Sequence, residues 1–171
     1  MYFRKEWNTT GVPLAYLISF RTYGTWLHGD SRGSTDRNNN VYGDPFYPVH
    51  PEWERMRQSQ LKSSPVKLNR LRRKAVNDAV TETCILRKWH LIAKAARTNH
   101  VHVVVNIGDK SPGAALNALK AYATRKMREL GLWNRKHSPW AARGSKKRLW
   151  TEEDVDNAVD YVLNGQGPDL D

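Results

Sequence analysis

Short apolar runs along the chain predict the strands of a β-sheet. Residues 14–22 (LAYLISFRT) combine aliphatic, aromatic and β-branched side chains, which is typical of a strand. Two further runs, residues 89–97 (WHLIAKAAR) and 100–107 (HVHVVVNI), are separated by only two residues. So short a connection between two strand-like runs predicts a β-hairpin.

Apolar positions at helical spacing predict three helices. The first covers residues 65–88, with its proline in the first turn. The second covers residues 111–130, where Ser111 can cap the start and the glycine that follows can end the helix. The third covers residues 151–165 and opens at Thr151, with acidic residues close behind.

The segments between these elements are less regular. Residues 29–60 are rich in glycine, proline and asparagine and predict a long inserted surface loop. Residues 133–145 are basic and irregular, and residues 146–150 predict a short strand. The order strand, helix, strand, strand, helix, strand, helix predicts an α+β fold, with helices packed on one side of a sheet. A length of 171 residues fits one domain over residues 1–171.

Charge is distributed unevenly along the chain. Seven of the 17 acidic residues lie in the last 21 positions, which hold no lysine or arginine. The first 150 residues therefore carry 28 basic against ten acidic residues, a net charge of +18. So strong an excess favours a polyanionic partner such as nucleic acid, because phosphate contacts release counterions. A basic soluble protein without such a partner is the alternative.

Composition also bears on location. No apolar run approaches the roughly 20 residues of a membrane helix, and the N-terminal residues lack an apolar signal core. Cys84 is the single cysteine, which excludes an internal disulfide and a cysteine-rich zinc site. We therefore expect a cytoplasmic protein with no membrane partner.

The first candidate for chemistry is the pair His100 and His102 in the predicted hairpin. Side chains alternate between the two faces of a strand, so these two histidines share one face. Two imidazoles at this spacing can bind one divalent metal ion, which also needs an oxygen ligand. Two solvent-facing histidines are the alternative. The same polar face is expected to include Val104 and Asn106, whereas the other face belongs to the core and comprises Val101, Val103, Val105 and Ile107.

The second candidate is Tyr161 in the last predicted helix. A phenol can attack phosphorus and later leave again, because its pKa lies near ~10. Asn164 follows three residues later and shares a helix face with Tyr161. Gln166 could fold back if Gly165 ended the helix in a left-handed conformation. Either amide oxygen could be the third metal ligand, and we favour Gln166.

A second tyrosine and a basic stretch point to nucleic-acid binding. Tyr122 lies within LKAYATRKMREL and is the alternative nucleophile, although a ring there could equally stack on a base. Cationic side chains can also form an ordinary solvated helix face. The residues expected to bind DNA are Lys120, Arg125, Lys126, Arg128, Arg143, Lys146, Lys147 and Arg148.

Four segments in order, SFRTYGTWLHGD, TNHVHVVV, LKAYATRKMREL and DYVLNGQG, resemble the single-tyrosine HUH transposases, including the REP-associated tyrosine transposases. The resemblance implies a ferredoxin-like or RRM-like antiparallel sheet with helices packed on one side. It implies that His100 and His102 bind Mg²⁺ or Mn²⁺ and that Tyr161 becomes joined to a DNA 5′ phosphate. It also implies a DNA transposase and single-strand endonuclease that recognises single-stranded DNA with hairpins, and it allows a homodimer.

The chain departs from this family at one position. Relatives often carry an amide four residues after the tyrosine, where Gly165 stands here. Two other classes remain open. A non-catalytic RRM-like nucleic-acid-binding module would account for the charge and the aromatic residues, and a domesticated HUH nuclease would share the site without mobilising an element. A rolling-circle initiator is less favoured, because the sequence has no P-loop pattern.

Overall fold

The computed structural model describes residues 10–25 and 50–167, and four strands and four helices account for their regular structure. In chain order the elements are β1 (Ala15–Thr22), α1 (Pro51–Ser59), α2 (Arg70–Arg87), β2 (His90–Ala96), β3 (His100–Asn106), α3 (Pro112–Glu129), β4 (Trp140–Leu149) and α4 (Glu152–Asn164).

The four strands form one sheet in the order β2-β3-β1-β4, and every neighbouring pair is antiparallel. Helix α2 connects β1 to β2 and helix α3 connects β3 to β4, which gives the β-α-β-β-α-β order of a ferredoxin-like fold. The predicted α+β class, the antiparallel sheet and the hairpin of β2 and β3 are thus confirmed.

The main core lies between one face of the sheet and the helices α2 and α3. Alternate residues of β1 and β3 point into it, and Ile18, Val101, Val103 and Val105 are completely buried. This is the expected packing of helices on one side of a sheet, and it confirms which face of β3 belongs to the core. The apolar periodicity of both helices comes from this shared contact.

Helix α4 covers part of the opposite face, the one that carries the histidines. It closes a smaller apolar cluster made of Ala15, Ala93, Val104, Leu149, Ala158 and Val162. Val104 is completely buried there, so the predicted polar character of the face it shares with the histidines is wrong at this position. The cause is the return of α4 across the sheet, which buries one end of this face and leaves the histidines at the other end.

Two of the predicted helix starts are confirmed. The Ser111 hydroxyl accepts a hydrogen bond from the Ala114 amide at 3.3 Å and caps α3. At the start of α4, Thr151 and Asp154 form a reciprocal capping box. These caps satisfy amide groups that the first turn of a helix leaves without partners.

The predicted start of α2 is wrong by several residues. The helix begins at Arg70, because the Asn69 side chain caps it by accepting from the Arg72 amide at 3.0 Å. Pro65 instead precedes a non-helical stretch, in which the Val66 amide donates to the carbonyl oxygen of Tyr23.

Two further predictions need correction. Residues 51–59 of the predicted loop form α1, which begins at Pro51 and has no buried residue, so no apolar periodicity marks it. Most of that loop, residues 29–49, lies outside the described residues. The predicted irregular segment 133–145 ends early, since β4 begins at Trp140. This strand is at the sheet edge and mostly exposed, which removes the usual apolar alternation. Among the helices of the described ranges, none is long and apolar enough to cross a membrane.

Candidate active site

The two histidines lie next to each other on β3, on the face that α4 partly covers. Their ring centroids are 4.7 Å apart. Strand alternation fixes this arrangement, because a spacing of two residues returns a side chain to the same face. β3 is an inner strand paired on both sides, so the backbone that carries the imidazoles is held rigidly.

Each imidazole has one ring nitrogen bound by a neighbouring side chain. His102 Nδ1 is hydrogen-bonded to Ser19 Oγ at 2.6 Å, and Ser19 is its direct cross-strand partner on β1. His100 Nδ1 lies 2.6 Å from Asn99 Oδ1. Such outer contacts set the orientation of metal-binding histidines and leave Nε2 as the ligand atom.

Burial keeps His102 neutral at ordinary pH. Its side chain is only 8% exposed. Burial, together with the nearby His100, lowers the pKa of His102 to about 4, and a hydrogen bond with Gln166 opposes this shift. A neutral imidazole is the form that binds a metal ion.

Gln166 reaches the histidine pair from the end of α4. Its Oε1 lies 2.9 Å from His100 Nε2, and its Nε2 donates to the backbone oxygen of Tyr161 at 3.1 Å. The predicted left-handed conformation of Gly165 is wrong, because its φ is −84°. The chain turns past α4 at Gly165, whose ψ is 1°, and the long Gln166 side chain reaches back to His100.

The alternative amide, Asn164, does not join this cluster. Its Nδ2 donates to Asp160 Oδ1 at 2.8 Å on an exposed part of α4. The two amides therefore differ clearly in placement: Gln166 meets the histidines and Asn164 pairs along its own helix.

The atoms around His100 fit a divalent cation. Both ring nitrogens face amide oxygens, those of Asn99 and Gln166, yet a neutral imidazole has only one N–H to donate. If the one N–H of His100 donates to Asn99, a cation bound by both His100 Nε2 and Gln166 Oε1 would account for the close approach of these two atoms. In the described ranges no cluster of three His, Cys, Asp or Glu side chains could hold a metal ion, so a third donor beside the two histidines would have to be of another type, such as an amide.

Tyr161 lies beside this cluster. Its ring packs against that of His102, with centroids 5.2 Å apart, and 45% of the residue is exposed. Tyr161 thus lies partly open to solvent beside a buried imidazole. Helix α4 carries Tyr161 to the histidines, five residues before Gln166.

Tyr122 lies on the other side of the sheet, on α3. Its ring is 4.4 Å from the Arg125 guanidinium and 5.9 Å from that of Arg87. It lines a cleft of about 350 Å³ between α2 and α3. The structure therefore brings Tyr161, and not Tyr122, to the histidine pair.

The basic residues of α3 lie on the same side of the sheet as Tyr122, away from the histidines. Several of them make contacts within the chain. Lys126 forms an ion pair with Glu82 at 2.7 Å, and Arg125 lies 3.9 Å from Glu129. Lys120 donates to backbone oxygens of β4, and burial lowers the pKa of its amine. Arg128 likewise donates to two backbone oxygens.

The basic residues of β4 divide between the two faces of the sheet. Ser145 pairs with Ser19 and so lies on the histidine face, as does Lys147 two residues later. Lys146 and Arg148 point to the opposite side. All three cations, like Arg143, are exposed.

Four residues near the histidines were not singled out from the sequence: Ser19, Arg21, Arg97 and Asn99. Arg21 is the cross-strand partner of His100, and Arg97 closes the hairpin by donating its amide to the backbone oxygen of His100. Asn99 directly precedes the first histidine, so its position could have indicated an orienting role. The others depend on strand register, which the sequence does not specify.

Comparison with known proteins agrees with this architecture. The sequence matches no protein-family profile and shows no significant match to a curated protein. Its fold is similar to a solved structure of a REP-associated tyrosine transposase bound to a REP hairpin, with a TM-score of 0.51 and 12% identity. The match covers 95% of this chain and 70% of the other. At this identity the likeness shows a shared fold alone.

Proposed function

We propose that this protein is a metal-dependent tyrosine nuclease of the HUH transposase type, which cleaves and rejoins single-stranded DNA. One observation carries the proposal: Gln166 Oε1 lies 2.9 Å from His100 Nε2, while the Tyr161 ring packs on His102. Two imidazoles, an amide oxygen and a partly exposed phenol thus lie together on a fold similar to that of a tyrosine transposase, which supports a metal site beside a nucleophile.

His100 Nε2, His102 Nε2 and Gln166 Oε1 are the proposed ligands of Mg²⁺ or Mn²⁺. When bound, the cation supplies a Lewis acid that polarises the scissile phosphate. Ser19 and Asn99 hold the two imidazoles in the orientation that this requires.

Tyr161 is the proposed nucleophile. Its phenolic oxygen forms a bond to phosphorus while the bond from phosphorus to the DNA 3′ oxygen breaks. The phenolic proton passes to solvent water, and the departing 3′ oxygen takes up a proton from solvent. The products are a 5′ phosphate joined to Tyr161 and a free 3′ hydroxyl. Attack by a 3′ hydroxyl on the phosphotyrosine reverses the step, because a phenolate is a good leaving group. The strand is therefore rejoined without ATP.

The proposed substrate is single-stranded DNA that carries a hairpin. Support comes from the basic charge of the chain and from the REP hairpin bound by the structural neighbour. On the histidine face, Arg21 is the cross-strand partner of His100, and Lys147 is a further cation on β4, at the level of Leu17. The affinity for DNA should fall steeply as the salt concentration rises. A plot of log K against log salt concentration should have a slope of about −0.7 for each phosphate contacted on a single strand.

A denaturing gel tests the proposal. The protein is incubated with labelled single-stranded hairpin DNA, with Mn²⁺ or with a chelator. We expect a covalent protein–DNA adduct that needs the metal, is lost in Tyr161→Phe and is retained in Tyr122→Phe. DNA binding without any adduct would contradict the proposal and favour a non-catalytic binding module.

A further inference from the structure

Gln166 lies beyond the last residue of α4, so no regular element fixes its backbone. Its side chain must nevertheless stay beside His100 to act as a ligand. The apolar cluster that docks α4 is built mostly from alanine and valine and ends at Val162, a full turn earlier. Something other than apolar packing must therefore hold the chain at Gln166.

Arg97 makes that contact. Its Nη2 donates to the backbone oxygen of Gln166 at 3.2 Å and to that of Gly167 at 2.6 Å. The same residue donates its backbone amide to the backbone oxygen of His100 at 2.8 Å. Arg97 thus joins the hairpin that carries His100 directly to the segment that carries Gln166.

Resting on the proposed function, we propose that Arg97 is a positioning residue that holds Gln166 in place as the third metal ligand. Charged donors form strong hydrogen bonds to carbonyl oxygens, and cations suit the carbonyl-rich end of a helix. The half-buried guanidinium therefore fixes the backbone of Gln166, while the bond from Gln166 Nε2 to the Tyr161 oxygen fixes its side chain.

The sign of the effect on metal affinity separates positioning from simple electrostatics. A positive charge near a cation site repels the cation, so loss of charge alone would tighten Mn²⁺ binding. Loss of the two hydrogen bonds instead frees Gln166. We expect Arg97→Ala to weaken Mn²⁺ binding about tenfold, as loss of an outer partner of a metal ligand commonly does. Arg70→Ala is the matched control, because Arg70 is exposed at the start of α2.

Calorimetric titration with Mn²⁺ on the full chain, in a double-mutant cycle with Gln166→Ala, tests the pathway. If Arg97 acts through Gln166, Arg97→Ala should change the affinity less than twofold in the Gln166→Ala background. Equal losses in both backgrounds, or tighter binding by Arg97→Ala alone, would overturn the inference.

Hydrogen exchange of the metal-free protein gives a readout independent of metal and activity. In Arg97→Ala, amides of residues 161–167 should exchange several-fold faster, and those of α2 and α3 should not change. Unchanged exchange at residues 161–167 would contradict the positioning role. If the wild-type protein binds no Mn²⁺ but the exchange effect is present, the proposed metal site fails while the Arg97 contact stands.

Discussion

Replacing Gly165 by alanine tests how closely the end of α4 is packed against the tyrosine. A Cβ atom at this position would lie 2.8 Å from the Tyr161 backbone oxygen and 3.1 Å from Cδ2 of its ring. The φ of Gly165 is −84°, so alanine can adopt the backbone conformation and the conflict is purely steric. The nearest atom belongs to the backbone, so no side chain can simply rotate away.

The expected magnitude follows from this crowding. Forcing an additional carbon into a packed site commonly costs about 1–3 kcal/mol. At roughly 2–4 °C per kcal/mol for a domain of this size, the melting temperature should fall by several degrees. A displacement of about 1 Å can slow a reaction about 100-fold. A shift of the Tyr161 side chain by about half an ångström should therefore slow adduct formation about tenfold.

Gly113→Ala is the matched control. A Cβ there would meet only the Ser111 hydroxyl at 3.6 Å, an ordinary contact, and the position lies within α3. Alanine in a helix should be neutral or stabilising by about 0.5–1 kcal/mol. Thermal unfolding and single-turnover adduct formation are measured for both variants. If Gly165→Ala matches Gly113→Ala in both, the proposed close packing of Gly165 on Tyr161 is wrong.

Three further predictions concern the residues around the histidine pair. Ser19→Ala should weaken Mn²⁺ binding about 10–100-fold in calorimetry by freeing the His102 ring, and an unchanged affinity would refute its orienting role. His100→Ala and His102→Ala should both abolish the adduct. Only His102→Ala, which empties a buried site, should lower the free energy of unfolding, by about 1–3 kcal/mol in urea denaturation. Equal losses of stability in the two variants would contradict this difference in burial. Lys147→Ala should reduce the salt dependence of binding to short single strands more than Arg148→Ala does, because only Lys147 lies on the histidine face. Fluorescence anisotropy at several salt concentrations measures this, and equal effects would argue against that face as the DNA path.

Burial explains which parts of the fold could be predicted from the sequence. The strands β1 and β3 and the helix α3 pack against the core, so their apolar residues recur with the period of the element. Helix α1 has no buried residue, and β4 buries only its first and last residues, Trp140 and Leu149. Without a buried face neither element shows a periodic apolar pattern in the sequence. The sequence therefore does not predict α1, and it predicts only the last part of β4.

The candidate site divides along similar lines. Strand alternation alone places His100 and His102 together, and their proposed role as metal ligands stays a prediction. The sequence predicts that Gln166 reaches the histidines because Gly165 adopts a left-handed conformation. Gln166 does contact His100, but Gly165 does not adopt that conformation. The contact of Ser19 with His102 joins residues 83 positions apart and depends on the register of β1 against β3, which no local pattern encodes.

Mapping the covalent adduct by mass spectrometry shows directly whether Tyr161 is the nucleophile. Trypsin should release Tyr161 in the peptide of residues 149–171 and Tyr122 in AYATR, residues 121–125, and each peptide contains a single tyrosine. After reaction with hairpin DNA and Mn²⁺ and digestion of the DNA, we expect a nucleotide remnant on the first peptide, at Tyr161. A remnant on AYATR, or no modified tyrosine in DNA-treated protein, would contradict this expectation.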